Sequence, residues 1–308
     1  MLVFSQNRLQ DIMRERYIHT PQNQKLWEFL DDLLLLNCPE SPRPKVMGVL
    51  WTGLPDAGKT TSVRQYIKCY LENEPNAQPK DILYHQIFGR SKLKGELARL
   101  CQNTLKIGDV PENPGRNYPT WLLVEKAAGK LRKDGVRMLI LDQLQKLLRL
   151  SENERIDVLE ALNDLLNASH VPLVLVGVEG VDEVLDMGAY ASYEDKSNLR
   201  GTFCSRFKLR RLLPWDEPDH EDYTSFLMTI HNQVCRLRPP EQAQPFFVDP
   251  VLREVIIELT NGLTAKIIDL LKYSAREIIR ERLPEVITID LLRRVAEQLK
   301  SVVGEEEG

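Results

Sequence analysis

Eight consecutive residues, Gly53-Leu54-Pro55-Asp56-Ala57-Gly58-Lys59-Thr60, carry the clearest chemistry in the chain, and Thr61 follows them. The run fits G-x-x-x-x-G-K-S/T, in which glycines allow a tight turn and successive backbone N–H groups converge on one anion. Lys59 would reach the β- and γ-phosphates of a nucleotide, and the Thr60 hydroxyl would take one position on Mg²⁺. A second acid must hold that magnesium through water, and it normally stands at the end of a buried strand of the same sheet. Asp142 meets this requirement. It terminates the apolar run from Met138 to Leu141, a costly place for a carboxylate without a cation. The next residue is Gln143, and an amide can orient a water but cannot take its proton. Nucleotide binding is expected, and efficient hydrolysis is not.

The flanking elements suit this chemistry. Val46 to Trp51 reads as a strand, and Ser62 to Leu71 as a helix with Val63, Tyr66, Ile67 and Tyr70 on one face. Phosphates held between them would sit at a helix N-terminus, where orphan N–H groups favour negative charge. Further strands are expected over 82–87, 136–142, 172–177 and 207–212, with helices over 92–105, 121–131 and 156–166 between them. Strands alternating with helices imply a parallel sheet covered on both faces. Beyond Pro214-Trp215 only helices are expected, over 217–235, 250–260, 264–282 and 289–302, the last with Thr288 as N-cap. Two amphipathic helices, over 8–17 and 22–37, precede the proline-rich linker that ends near Pro44.

The chain has 308 residues with 43% hydrophobic and 28% charged side chains and a net charge of -4, an ordinary globular composition with no global signal for a polyanion. Its five cysteines are scattered and never spaced C-x-x-C, which suits reduced thiols in a cytoplasmic protein. No leading segment resembles a signal peptide, and no apolar run reaches membrane-spanning length, so no membrane partner is expected. The histidines show no ligand spacing to one another or to cysteine, which argues against a metal or thiol enzyme.

The phosphate loop, the strand ending in Asp142, the Arg206-Phe207 pair and the helical C-terminal segment together resemble the AAA+ ATPases. The finer pattern is similar to the TniB/TnsC transposition regulators, including those of CRISPR-associated transposons. It consists of Arg16-Tyr17-Ile18-His19-Thr20-Pro21, the strand to Asp142, Leu175-Val176-Gly177, and Ser205-Arg206-Phe207 leading to Leu213-Pro214-Trp215. The resemblance implies an α/β fold, a P-loop core with a parallel five-stranded sheet in the order 5-1-4-3-2 and a C-terminal all-helical lid. Residues 1–45 would form a helical arm and linker, 46–213 the nucleotide-binding core, and 214–308 the lid with a short acidic tail.

Roles carry over position by position. The nucleotide, ATP with Mg²⁺, would be held by Tyr17 and Ile18 at the adenine, by Gly53, Asp56, Ala57, Gly58, Lys59, Thr60 and Thr61 at the phosphates, and by Lys266 from the lid, where the family usually has arginine. Thr60 and Asp142 would hold the metal. Gln143 occupies the position where the family has a catalytic glutamate, either as a natural mark of slow turnover or as a Glu→Gln exchange that traps ATP. Arg206 falls at the trans-acting arginine finger, with Arg200 as its rival, and Val178 stands where a polar residue would sense the γ-phosphate. The basic stretch with Arg90, Lys92, Lys94 and Arg99 follows the second strand, the part of the family that faces a central pore, and would track the backbone of duplex DNA without sequence preference.

The resemblance therefore implies an ATP-dependent regulator that assembles as a homo-oligomeric ring or filament on duplex DNA. There it would link a target selector, of TniQ type or with a CRISPR effector, to a DDE transposase in the bacterial cytosol. A replication initiator or helicase loader on the same core is the alternative, and an ATP-stabilised scaffold without DNA binding is a third.

Overall fold

The computed structural model describes residues 2–14, 16–36, 46–89, 93–111, 114–115, 118–148, 151–180, 206–240 and 243–304. The chain divides into two compact units, Lys25–Gly53 with Lys59–Leu212, and Met1–Gln24 with Leu54–Gly58 and Leu213–Gly308.

The first unit is built on strands β1 (Gly48–Gly53), β2 (Ile82–Gln86), β3 (Met138–Asp142), β4 (Leu173–Val176) and β5 (Phe207–Leu212). They form one sheet in the order β2-β3-β4-β1-β5 with every pair parallel, which is the expected 5-1-4-3-2 read from the other edge. Every residue of β1, β3 and β4 is buried, because a parallel sheet is covered on both faces and its inner strands must be apolar throughout. The edge strand β5 instead exposes Lys208, Arg210 and Arg211, charges that discourage pairing with a foreign strand.

Among the described residues the helices are α1 (Leu2–Met13), α2 (Pro21–Leu36), α3 (Lys59–Asn73), α4 (Leu93–Arg99), α5 (Thr120–Asp134), α6 (Gln145–Leu148) and α7 (Glu152–Ser169), then α8 (Glu221–Ile230), α9 (Pro250–Thr260), α10 (Thr264–Glu281) and α11 (Ile289–Gly304). Helix α3 begins at the phosphate-loop lysine. Helix α2 is fastened to α3 by Trp27 Nε1, which donates to Ser62 Oγ at 3.0 Å, and by Tyr66 OH, which donates to Asp31 Oδ1 at 2.7 Å.

Several element ends differ from the sequence expectation for identifiable reasons. The first helix stops at Met13, and Thr20-Pro21 opens α2 instead of merely interrupting the chain. Thr20 Oγ1 accepts the Asn23 N–H at 3.1 Å, and proline at the first helical position loses no hydrogen bond while disfavouring helix in the residue before it. Helix α7 starts at Glu152, ahead of the expected 156, because the Glu154 carboxylate accepts both the N–H and the hydroxyl of Ser151, an S-x-x-E capping pair. Helix α8 starts at Glu221, where His220 Nδ1 accepts the Asp222 N–H at 3.1 Å, and it ends in a π turn over His231–Cys235.

The second unit has its own apolar core, with Tyr223, Phe226, Ile256, Leu271 and Leu292 fully buried. Helix α1 belongs to it. Ile12 is buried in that core, and Arg8 makes a two-pronged ion pair with Glu285, at 2.7 and 2.9 Å, while Arg236 holds Asp11 at 2.6 Å. The Arg8 bond draws the Glu285 carboxyl below its ordinary range.

Candidate functional site

The phosphate loop leaves β1 at Gly53 and enters α3 at Lys59. Gly58 has φ +88°, a conformation that a side chain resists, and so the glycine is what lets the chain turn into the helix. Lys59 is 8% exposed and its ammonium donates to the Gly53 carbonyl at 2.7 Å, folded back over the start of the loop. The Thr60 hydroxyl donates to Asp142 Oδ2 at 2.8 Å, which joins the start of α3 to the end of β3.

Asp142 is 2% exposed. Its Oδ1 accepts the Gln143 N–H at 2.7 Å, and its Oδ2 accepts the hydroxyls of both Thr60 and Tyr84. All three donors are neutral, and among the described residues no lysine or arginine pairs with this carboxylate. A buried carboxylate in that situation lacks a positive charge. A hard divalent cation that prefers oxygen ligands would supply it, so the donor set fits Mg²⁺.

Gln143 has φ +64°, rare for a residue with a Cβ. The cause is the path of the chain. The Leu144 N–H bonds the Val176 carbonyl at 2.9 Å and the Lys146 N–H bonds the Gln143 carbonyl at 3.0 Å, so β3 must turn sharply into α6 at this one residue. Gln143 Oε1 is buried and has no partner among the described residues.

Tyr84 and Arg64 are functional candidates that the sequence reading missed. Gln86 pairs in register with Asp142, and Tyr84, two residues back on the same face of β2, reaches Asp142 Oδ2 with its hydroxyl at 2.7 Å. The Arg64 guanidinium lies over the Tyr84 ring at 5.4 Å and reaches Gln86 Oε1 at 3.5 Å. The only sequence signal was a tyrosine in a strand; the contact with Asp142 depends on register.

Leu54–Gly58 groups with the helical unit. There the Asp56 carbonyl accepts the Ala265 N–H at 3.3 Å, and Ala57 is buried. Gly262 precedes this contact at φ +65°, where an added Cβ would lie 1.9 Å from the Trp215 carbonyl oxygen. Trp215 N–H donates to the Gly262 carbonyl at 2.9 Å and its indole to Thr264 Oγ1 at 3.2 Å. The Leu213-Pro214-Trp215 signature is thus what shapes the turn before Lys266. Lys266 is exposed and lines a pocket of about 500 Å³ with Asp56, Leu259, Asp269, Leu299 and Lys300. Ile18 is buried in the core of this unit and Tyr17 is half-buried beside His19.

Of the remaining candidates, Thr61 is exposed, Val178 packs against the core, and Arg206 Nε is buried without a hydrogen-bond partner among the described residues. Arg200, Arg90 and Lys92 lie outside the described residues. Lys94 donates to the Gly115 carbonyl at 2.7 Å, and Arg99 pairs at 2.8 Å with Glu96, itself 3% exposed. Among the described residues no group of three or more His, Cys, Asp or Glu could hold a metal. Cys69, Cys101 and Cys235 are free thiols, and burial pushes Cys101 up to about 11 and Cys235 up to about 12. Among the described residues no helix is long and apolar enough to cross a membrane.

Residues 8–217 match a family model described as bacterial TniB protein. No curated protein sequence matches the chain. Among solved structures, the Aeropyrum pernix ORC2 protein in ADPNP-ADP complexes is similar with TM-score 0.57 at 16% identity, over 93% of this chain and 71% of that one. The Aeropyrum pernix ORC1 protein in complex with DNA gives TM-score 0.55 at 15% identity, over 94% and 69%. A Walker-type ATPase of Pyrococcus abyssi gives 0.53 at 15% identity, over 92% and 73%. At these identities the likeness concerns the fold, which is that of AAA+ proteins.

Proposed function

This chain belongs to the TniB family, and from that premise we propose that it is an ATP-dependent regulator of DNA transposition. The observation that carries the reading is the Thr60 hydroxyl on the buried Asp142 carboxylate at 2.8 Å, directly after the phosphate-loop lysine. Loop amides from Gly53 to Thr61 and the Lys59 ammonium bind the phosphates, with Lys59 exchanging the Gly53 carbonyl for phosphate oxygens. Thr60 and Asp142 hold Mg²⁺, which when bound neutralises phosphate charge. Tyr17 and Ile18 serve the adenine, and Lys266 serves the phosphates from the helical segment. Lysine keeps the charge of the family's usual arginine but not its forked donor geometry.

Arg206 reaches the γ-phosphate of a neighbouring subunit, so that ATP binding closes a homo-oligomeric interface. The protein then acts as a switch whose assembled state is selected by ATP. With Gln143 unable to accept a proton, turnover is slow and the ATP-bound assembly is long-lived. The assembly encloses duplex DNA, with Arg90 and Lys92 on the phosphates. Lys94 and Arg99 join them, exchanging the Gly115 carbonyl and Glu96 for phosphates. A DDE transposase and a TniQ-type selector, in some systems joined to a CRISPR effector, are the protein partners in the bacterial cytosol.

A replication initiator or loader is the second reading, favoured by the similarity in fold to an archaeal ORC1 solved with DNA. Electron microscopy with duplex DNA and either ATP-Mg²⁺ or ADP tests the proposal. Rings or filaments on DNA with ATP alone, lost in Lys59→Ala, are expected. Particles indifferent to DNA and nucleotide would refute it.

A further inference from the structure

Asp142 receives one hydroxyl that the phosphate-loop pattern accounts for and another that it does not. Thr60 can donate its proton to Oδ2 and keep its lone pairs for a cation. Tyr84 shares the same oxygen, at 2.7 Å, and its half-buried ring is carried by a different element, β2. Arg64, four residues after Thr60 on α3, covers that ring and reaches Gln86 further along the same strand. The two hydroxyls on Oδ2 therefore come from α3 and from β2, and Arg64 spans the two.

A carboxylate at a strand end can turn about two side-chain torsions. The Gln143 N–H restrains Oδ1, and the fixed phenol restrains Oδ2 independently of what Thr60 does. We propose that Tyr84 is a positioning residue for the metal, holding Asp142 in the orientation that receives Mg²⁺. This inference rests on the nucleotide-binding reading given above. Tyr84 does not substitute for the absent glutamate as a base. Its hydroxyl donates to Asp142 Oδ2, and a phenol is protonated near neutral pH, so it acts as a donor. Partners that orient a metal ligand typically change metal affinity 10–100-fold when removed.

Tyr84→Phe deletes one oxygen and leaves the ring beneath Arg64. Binding of a fluorescent ATP analogue is measured as Mg²⁺ is titrated and again in EDTA, with Asp142→Asn as a reference and electron paramagnetic resonance of Mn²⁺ as a second readout. The Mg²⁺ concentration for half-saturation is expected to rise about tenfold, with binding in EDTA unchanged and the melting temperature lowered by only a few degrees, the effect of losing one hydrogen bond to a buried carboxylate. A Tyr84→Phe titration identical to wild type, while Asp142→Asn is displaced, would overturn the role of Tyr84 and leave the nucleotide site standing. A wild-type protein that binds no nucleotide, or binds it with no Mg²⁺ dependence, would overturn the metal-site reading and this inference together.

Discussion

Gln143→Glu asks whether the site lacks only a base. Glutamine and glutamate have the same Cβ, so the cost of the left-handed backbone at φ +64°, about 1–2 kcal/mol, is common to both and drops out of the comparison. What changes is the group at the buried Oε1, which has no donor among the described residues and follows a carboxylate only 2% exposed. Desolvation and the Asp142 charge both raise the pKa of the new glutamate, toward the range in which a general base works near neutral pH. The exchange should cost about 1–3 kcal/mol in the nucleotide-free protein, because each unit by which desolvation and the Asp142 charge raise that pKa is about 1.4 kcal/mol against the carboxylate. A positioned base contributes about 10²–10⁴-fold to a rate. Single-turnover phosphate release with ATP, Mg²⁺ and duplex DNA should therefore accelerate by at least about 10²-fold, while ATP affinity changes little. Normal ATP binding with unchanged phosphate release would refute the reasoning and mean that the site is deficient in more than this residue. Gln143→Gly is the companion variant; it relieves the backbone cost, less the entropy glycine loses, and should stabilise the protein by about 0.5–1 kcal/mol without turnover.

Arg206→Ala should leave nucleotide affinity of the monomer near normal and abolish ATP-dependent oligomers in light scattering; unchanged oligomers would place the finger elsewhere. Gly262→Ala should destabilise the protein by about 2–5 kcal/mol in urea unfolding, combining left-handed strain with overlap on the Trp215 carbonyl, and a loss below about 1 kcal/mol would refute that account. Burial lowers the pKa of both His85 and His231 from 6.5, so each favours its neutral form when folded. The unfolded chain then takes up protons first. Their stabilisation is complete above about pH 6.5 and is lost as the pH falls toward the lower folded values, at no more than about 1.4 kcal/mol per pH unit for each. Urea midpoints that decline from pH 7.5 to 5.5 are expected, and a flat profile would contradict the assignment.

Parts of the site that lie along one stretch of chain were legible in the sequence. The loop announces itself because phosphate binding needs glycine, lysine and hydroxyl at fixed offsets. The inner strands were legible because a sheet covered on both faces leaves no place for polar side chains, and that made Asp142 conspicuous. Capping is equally local, and the sequence carries both the Ser151 and the Thr20 signals.

Contacts between distant segments were not legible. Nothing in the run from Ile82 to Gln86 says that Tyr84 will meet a carboxylate 58 residues away. Nothing near Arg8 says that its partner is Glu285, 277 residues on. The basic stretch reads as four free cations, yet Glu96 and the Gly115 carbonyl already engage Arg99 and Lys94.

The sequence by itself determined the phosphate-loop pattern, the acid at the strand end, the glutamine that follows it and the succession of strands and helices, since each depends on residue type at short spacing. Only the tertiary structure decided the register that sets Tyr84 on Asp142, the left-handed turn at Gln143 and the union of α1 with the C-terminal helices. Those depend on which surfaces meet once the chain has closed on itself.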